Sequence, residues 1–163
     1  LMARLNVRGA DSVSPRLNEI AAWFDEVTVA GGYRKYYDGT RDGTLQGGGT
    51  AGGLGLDQEF FESVMLPQIF FDGFLGFDTK PDGFTLNPRL PGDWPELTIT
   101  RIRFRDLVLE LKTTATTLDV TVAESSGASG RDYLVSMPAG WNPESQPIAP
   151  NAAAGTTLHF ARN

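Results

Sequence analysis

The sequence predicts an α+β fold in which helices come first and strands follow. Up to about residue 77, apolar residues recur at three- and four-residue spacing, whereas from about residue 84 they alternate with polar residues. Strands that follow one another through short connections favour an antiparallel sheet or sandwich. We therefore expect a helical segment over residues 1–80 and an antiparallel β-domain over residues 81–163.

The first predicted helix begins at Ser14-Pro15, an N-cap followed by proline at the first helical position. Its apolar residues fall at helical spacing and form one stripe: Leu17, Ile20, Ala21, Phe24 and Val27. Gly31-Gly32 is the expected stop of this helix.

A second helix is expected from about residue 57 to residue 71. Its apolar residues face more than one side, which indicates burial between other elements. Pro67 is expected to kink or split it, because proline cannot donate the intrahelical hydrogen bond.

In the second half, Leu97 and Ile99 alternate with threonines, and Ile102 and Phe104 then take the opposite phase. A phase slip near Arg101 predicts a β-bulge or a bend of this strand. A turn at residues 105–106 leads to the next strand. The further predicted strands cover residues 107–111, 118–122, 132–137 and 156–160, and a loop rich in Pro, Asn and Ala joins the last two.

Residues 46–62 read QGGGTAGGLGLDQEFFE, with a glycine-rich loop at 47–55 that permits close approach of backbone or ligand. Gly47, Gly49 and Gly52 formally match a dinucleotide-binding fingerprint. No predicted strand precedes them, and Asp57 and Glu59 place negative charge where a pyrophosphate would bind, so we reject a nucleotide site. The sequence leaves two roles open for Asp57: the N-cap of a helix, or a carboxylate at the floor of a site.

Composition excludes several function classes. The net charge is −6, with 14 Lys and Arg against 20 Asp and Glu, so we expect no nucleic-acid partner. The chain has no Cys and one His, His159, so we expect neither a thiolate nor a His-cluster metal site, and no cofactor. No apolar run of membrane-spanning length and no signal peptide are visible, which predicts no membrane association and leaves the compartment open.

Tyrosines cluster with a cation just before the glycine-rich loop. Tyr33, Tyr36 and Tyr37 surround Arg34, and Thr50 is the nearby hydroxyl. Aromatic faces can stack on sugar rings while charged groups bond to the sugar hydroxyls, so these residues are candidates for sugar binding. The alternative is that the tyrosines pack with their polar tips in water.

The order of motifs carries a family resemblance. After the glycine-rich stretch come LDQEFFE at 56–62, LPQ at 66–68, NPRLPGDW at 87–94 and LTITRIRFRDLVLEL at 97–111. Residues 45–113 thereby resemble the end of (α/α)6-barrel glycoside hydrolases with a C-terminal β-domain. The resemblance is closest to the α-L-fucosidase type and next to the maltose/trehalose phosphorylase type.

The resemblance implies a carbohydrate substrate and an inverting two-carboxylate mechanism. Asp57 matches the aspartate that acts as general base in the fucosidase-type I-D-G-N-F-G phrase, and Glu59 is the weaker candidate. Gln58 and Glu59 replace the small and amide residues of that phrase. The general acid would come from earlier in the barrel. In phosphorylase types, phosphate replaces the base, and with Thr50 as the one hydroxyl nearby the resemblance favours hydrolysis.

A barrel of twelve helices needs roughly 200 residues. The helical segment 1–80 is shorter, so we expect a few final barrel helices, and this chain alone is expected to hydrolyse no glycoside. Its expected partner is the remainder of a parent chain, or a second copy, packed on the apolar helix faces. The alternative function is a non-catalytic carbohydrate-binding, interaction or assembly domain.

Overall fold

The structure, a computed structural model, describes residues 1–29 and 66–163. The helical elements in these ranges are α1 (Met2–Arg8), a 3-10 helix (Ala10–Ser12), α2 (Ser14–Val29), α3 (Leu66–Gln68) and a π-helix (Ile69–Leu75) that continues α3. Strands follow these helices along the chain, so the predicted α+β order is confirmed.

Helix α2 is the helix predicted at Ser14-Pro15, but it begins one residue earlier than expected. Val13 has right-handed helical dihedral angles, and its carbonyl accepts the N–H of Leu17 at 3.0 Å. Ser14 is therefore the first helical residue rather than the cap, and its hydroxyl bonds elsewhere. The expected stop at Gly31-Gly32 lies outside the described residues.

Helix α1 was not predicted from the sequence, because seven residues are too few for a periodic pattern. Its Leu5 is buried in a cluster with Val13, Leu17, Ile69 and Phe74. Packing against these residues stabilises the short helix.

The described part of the second predicted helix runs to Leu75, four residues beyond the predicted end at 71. Gly73 does not terminate it and lies instead at a close contact with α1, where an added Cβ would stand 2.9 Å from Leu5 Cδ2. The terminator is Gly76, with φ 58° and ψ 39°, the left-handed conformation that favours glycine after a helix. The kink expected at Pro67 involves residues before 66 and stays a prediction.

Two sheets make up the β part of the described chain. The strands are β1 (Asp78–Lys80), β2 (Gly83–Thr85), β3 (Leu97–Phe104), β4 (Leu107–Thr113), β5 (Thr117–Ser125), β6 (Tyr133–Ser136), β7 (Trp141–Asn142), β8 (Ser145–Ile148) and β9 (Thr157–Arg162). One sheet has the order β1-β2-β6-β8 and the other β3-β4-β5-β9-β7. Every pairing is antiparallel except that of β2 with β6, which is parallel.

The two sheets share one core, so they form a sandwich. In β4 and β5 the apolar side of each alternating pattern is fully buried, with Leu109 and Val120 as examples. Phe104 of the five-stranded sheet contacts Phe84 and Tyr133 of the other sheet, at ring centroid distances of 5.0 and 5.4 Å. Edge-to-face ring pairs of this kind join the layers.

The predicted phase slip in β3 is confirmed as a register shift between Ile99 and Ile102 against β4. Arg101 lies within it and has φ 59°. Arg105, in the predicted turn to β4, also has positive φ, at 55°. Left-handed conformations cost about 1–2 kcal/mol for residues other than glycine, so contacts elsewhere must hold both arginines in place.

Four strands were not predicted: β1, β2, β7 and β8. The predicted loop between the fourth and fifth strands contains β7 and β8, so that expectation was wrong in part. Pro147 makes β8 hard to recognise in the sequence, but among the described strands β8 is the outer one of its sheet, where proline is tolerated.

Candidate functional site

All the candidate site residues predicted from the sequence lie outside the described residues. They are the candidate catalytic Asp57 and Glu59 and the candidate sugar-binding Tyr33, Arg34, Tyr36, Tyr37 and Thr50. Their roles stay predictions. The described residues show instead how the chain on either side of the segment 30–65 is held.

The NPRLPGDW residues form a connecting segment (residues 87–94) between β2 and β3. Three of its residues bond to the N-terminal helical part: Arg89 Nη1 to Asn6 Oδ1 at 3.3 Å, Gly92 N to Asp11 Oδ1 at 2.5 Å, and Asp93 Oδ2 to Ser14 Oγ at 3.3 Å. Because these partners lie in α1, the 3-10 helix and α2, the connecting segment ties each of these elements to the strand-rich part.

Trp94 ends the connecting segment and packs against aromatic rings of the helical part. Its ring stacks on Phe70 at 6.1 Å with an interplanar angle of 20°, and it meets Phe74 at 5.0 Å. Both phenylalanines belong to the π-helix. Such ring pairs contribute about 0.5–1.5 kcal/mol beyond the area that they bury, so Trp94 fastens the connecting segment to the π-helix.

An apolar groove of about 250 Å³ opens beside Trp94. It is lined by Leu17, Asn18, Ile20 and Ala21 of α2, by Leu66 of α3, and by Phe70 and Trp94. The groove offers almost no polar surface, so it cannot by itself bind sugar hydroxyls. An apolar groove of this kind is suited to packing against an apolar surface of a protein.

A second cavity, of about 470 Å³, shares Asn18 with the groove and contains two carboxylates, Asp11 and Asp93. Asp11 accepts the N–H of Gly92 and Asp93 accepts the hydroxyl of Ser14. Both carboxylates therefore hold the connecting segment against the helices, which is a structural role.

A third cavity, of about 300 Å³, lies at the β3–β4 turn and includes Asp106. The hydroxyl of Tyr133 donates to Asp106 Oδ1 at 2.5 Å, and this bond holds the pKa of Asp106 below its ordinary value. A general acid needs the opposite, a raised pKa, so Asp106 is unsuited to that task at neutral pH. Its bonds to Tyr133 and to the N–H of Ser129 instead fix the turn.

Within residues 1–29 and 66–163, no cluster of three or more His, Asp or Glu has the arrangement of a metal site. Across the same ranges, the helices lack the length and apolar character that crossing a membrane requires.

The structural role of the connecting segment was not predicted from the sequence. Two prolines and a tryptophan within eight residues, Pro88, Pro91 and Trp94, are the signal that could have shown it. Prolines restrict the backbone of a loop, and a tryptophan in such a loop needs a packing partner.

Comparison with known proteins adds the family. Residues 77–129 match the family model described as glycosyl hydrolase family 65, C-terminal domain. Among solved structures, the chain is similar to a putative kojibiose phosphorylase from human microbiome, with 14% identity and a TM-score of 0.44. That similarity covers 66% of this chain and 15% of the other, so this chain spans well under two thirds of the length of its solved relative. No curated protein matches.

The family match begins just before β1 and ends just after β5, so it includes the whole connecting segment. The match confirms the predicted resemblance to the C-terminal part of a glycoside hydrolase or phosphorylase. The family that the match indicates is glycosyl hydrolase family 65. The resemblance to the α-L-fucosidase type stays a prediction. The strand-rich part of this chain is accordingly similar to the C-terminal domain of glycosyl hydrolase family 65.

Proposed function

We propose that this chain is the C-terminal part of a larger enzyme that cleaves a glycosidic bond in a carbohydrate substrate. The family match of residues 77–129 carries the proposal. It is supported by the connecting segment, which lies inside the match and fastens α1, α2 and the π-helix to the sandwich. A domain fastened in this way gives the catalytic segment of an enzyme a rigid support.

The proposed reaction is hydrolysis with inversion at the anomeric carbon. Asp57 is the proposed general base, and Glu59 is the weaker candidate. The base takes a proton from a water molecule, whose oxygen attacks the anomeric carbon from the face opposite the leaving group. A second carboxyl group, about 6.5–9.5 Å from the first, protonates the leaving oxygen. We place this general acid in the remainder of the enzyme.

The proposed sugar contacts come from the segment 30–65. The aromatic rings would stack on the sugar, and the guanidinium and hydroxyl groups would bond to its oxygens. The residues proposed for this role are Tyr33, Arg34, Tyr36, Tyr37 and Thr50.

The apolar groove indicates where the remainder of the enzyme would pack. Its wall on α2 includes Ile20, which is half-buried, and Ala21, which is exposed. We propose that further helices of an (α/α) barrel, supplied by the parent chain, cover this face. This chain alone would then lack both the general acid and a complete cleft, and it should release no product from a glycoside.

The test is the rate of glycoside cleavage by the full-length parent enzyme. Asp57→Asn should lower kcat by several orders of magnitude, because the amide cannot take the proton from water. Asp132→Asn, which changes an exposed carboxylate of the sandwich, is the matched control and should leave kcat unchanged. Retained activity in Asp57→Asn would return Asp57 to the role of a helix cap. A turnover that requires inorganic phosphate would replace hydrolysis with phosphorolysis.

One observation favours the second candidate, a free-standing carbohydrate-binding or interaction domain. Among the described residues, the main buried cluster draws on residues 75–160, so the sandwich has a core of its own. Such a core is what an independently folding module requires.

A further inference from the structure

The C-terminal end of the π-helix is held by the connecting segment. Three consecutive carbonyls at this end accept hydrogen bonds from two residues of that segment. Asn87 N donates to Leu75 O at 2.8 Å, Arg89 N to Phe74 O at 2.8 Å, and Arg89 Nη2 to Gly73 O at 3.2 Å. The end of the helix is thus capped from another part of the chain.

External donors matter more here than at an ordinary helix end. An α-helix leaves its last four carbonyls without partners inside the helix, and the wider π turn leaves one more. The carbonyl of Phe71 is bonded by the N–H groups of Gly76 and Phe77. The connecting segment bonds the carbonyls of Gly73, Phe74 and Leu75, so it stabilises a helix type that is otherwise rare.

The guanidinium of Arg89 bridges the π-helix and α1. Nη2 bonds to Gly73 O, Nη1 bonds to Asn6 Oδ1 at 3.3 Å, and Nε is buried with no acceptor among the described residues. At the same place α1 approaches Gly73 so closely that an added Cβ would stand 2.9 Å from Leu5 Cδ2. Arg89 therefore holds both helices where they are in closest contact.

We propose that Arg89 is a positioning residue, which fixes the π-helical register of Ile69–Leu75 and thereby the direction in which the preceding residues face. Each helical residue advances by about 100°, so conversion to an α-helical register would turn the preceding helix by about that angle. Phe70 would lose its stacking on Trp94, and Leu66 would leave the apolar groove. The candidate base Asp57 precedes Leu66 by nine positions, so the consequence for catalysis rests on the proposed function.

The register can be measured in the 163-residue chain itself. Hydrogen-bond scalar couplings in isotope-labelled protein identify the acceptor of each amide. In Arg89→Met, the amides of Phe74 and Leu75 should change acceptor from the fifth preceding carbonyl to the fourth. Arg131→Met is the matched control, because it removes a guanidinium bond to the carbonyl of Pro81 at 3.0 Å, away from the helix. The control should leave the acceptors unchanged.

Arg89→Lys keeps the charge but loses the planar fork that reaches Asn6 and Gly73 together. It should show the same change of acceptors in a fraction of the molecules, and it serves as the test if Arg89→Met does not fold. The proposal would be overturned if, in the variants that fold, the amides of Phe74 and Leu75 still bond to the fifth preceding carbonyl. A residue that contributed only stability would leave the register unchanged.

In the full-length parent, Arg89→Met should lower kcat by at least about 10²-fold with little change in KM, because a misplacement of a catalytic group by only about 1 Å can already cost that much. The two proposals can fail separately. Full activity of Asp57→Asn would refute the proposed base and leave the register result standing. An unchanged register, or an unchanged kcat in a variant whose register has changed, would refute the positioning role of Arg89.

Discussion

Tyr133 and Asp106 join the two sheets of the sandwich through a hydrogen bond of 2.5 Å from the tyrosine hydroxyl to Oδ1. Tyr133 lies in β6 of the four-stranded sheet, and Asp106 lies in the turn between β3 and β4 of the other. The second carboxylate oxygen accepts the N–H of Ser129 at 3.1 Å. These bonds favour the ionised carboxylate, so the pKa of Asp106 lies below its ordinary value of 3.8, with the Tyr133 bond as the largest cause.

This pKa shift predicts an acid-dependent loss of stability. The unfolded state binds a proton at a higher pH than the folded state does, so the contribution is present above pH 3.8 and is lost as the pH falls through the lowered pKa. In Tyr133→Phe, the decrease in melting temperature between pH 6 and pH 2.5 should be smaller than in the wild type. Thermal unfolding followed by circular dichroism measures it. Asp106→Asn should show the same smaller decrease, and a wild-type decrease in both variants would contradict the assignment.

Gly83→Ala should destabilise the protein by about 2 kcal/mol or more, because the new methyl group overpacks the β2–β6 pair. The added Cβ would stand 1.9 Å from the carbonyl oxygen of Leu134, a backbone atom that cannot move without breaking the pair. Urea unfolding measures the loss. Gly130→Ala is the control, since Gly130 has φ +63° and open space around it, and it should cost about 1 kcal/mol through the backbone alone. Equal losses of unfolding free energy in the two variants would contradict the prediction, because they would show that the β2–β6 pair accommodates the added methyl group.

Trp94→Ala should loosen the helical part while leaving the sandwich intact. Removing the ring deletes the contacts with Phe70 and Phe74, at a cost of about 2–3 kcal/mol for a half-buried tryptophan. Hydrogen exchange should therefore quicken in α1 and the first half of α2 and remain slow in β4 and β5. Trp94→Phe retains an aromatic ring and should show an intermediate effect. Equal protection of α2 in the wild type and in Trp94→Ala would contradict this role.

Arg101 and Arg105 both have left-handed backbones, yet we expect opposite responses to glycine. Arg101→Gly should raise the free energy of unfolding by about 0.5 kcal/mol, because relief of the left-handed strain exceeds the added freedom of the unfolded chain. Arg105→Gly should lower it, since the Arg105 guanidinium bonds to Pro81 O at 2.9 Å and lies over the rings of Phe104 and Tyr133. Chemical denaturation of both variants provides the comparison, and destabilisation in both would refute it.

A polypeptide of residues 76–163 should fold cooperatively by itself, because the main buried cluster of the described residues lies almost wholly within it. Thermal unfolding of this polypeptide should give a single transition, and its near-ultraviolet circular dichroism should retain the aromatic signal of the packed sandwich. A molten, non-cooperative species would show that the helices are part of the same folding unit. That result would remove the support for a free-standing module.

The sequence alone predicted the elements whose apolar pattern is visible within a few consecutive residues. The alternation from Leu107 to Leu111 predicted β4, because every second side chain of this strand enters the sandwich core. The change of phase near Arg101 predicted the bulge in β3, because a register shift reverses which residues face inward.

The remaining elements depend on distant contacts. Strand β2 has only three residues and includes Gly83, and it is recognisable through its parallel pairing with β6, about fifty positions later. The π-helix likewise depends on residues 87–89 and cannot be inferred from its own sequence. For the candidate site, sequence reasoning supplied the carboxylates and tyrosines of 30–65, and the described residues supply the connecting segment and the groove.

Strand β3 is the outermost strand of the five-stranded sheet as far as the structure describes the chain. Its outer edge is interrupted by the bulge, and Arg101 and Arg103 leave positive charge exposed along it. A further strand would need an unbroken row of backbone donors and acceptors and would have to approach this charge. This edge should therefore resist strand addition and the aggregation that follows from it, even when the protein is concentrated.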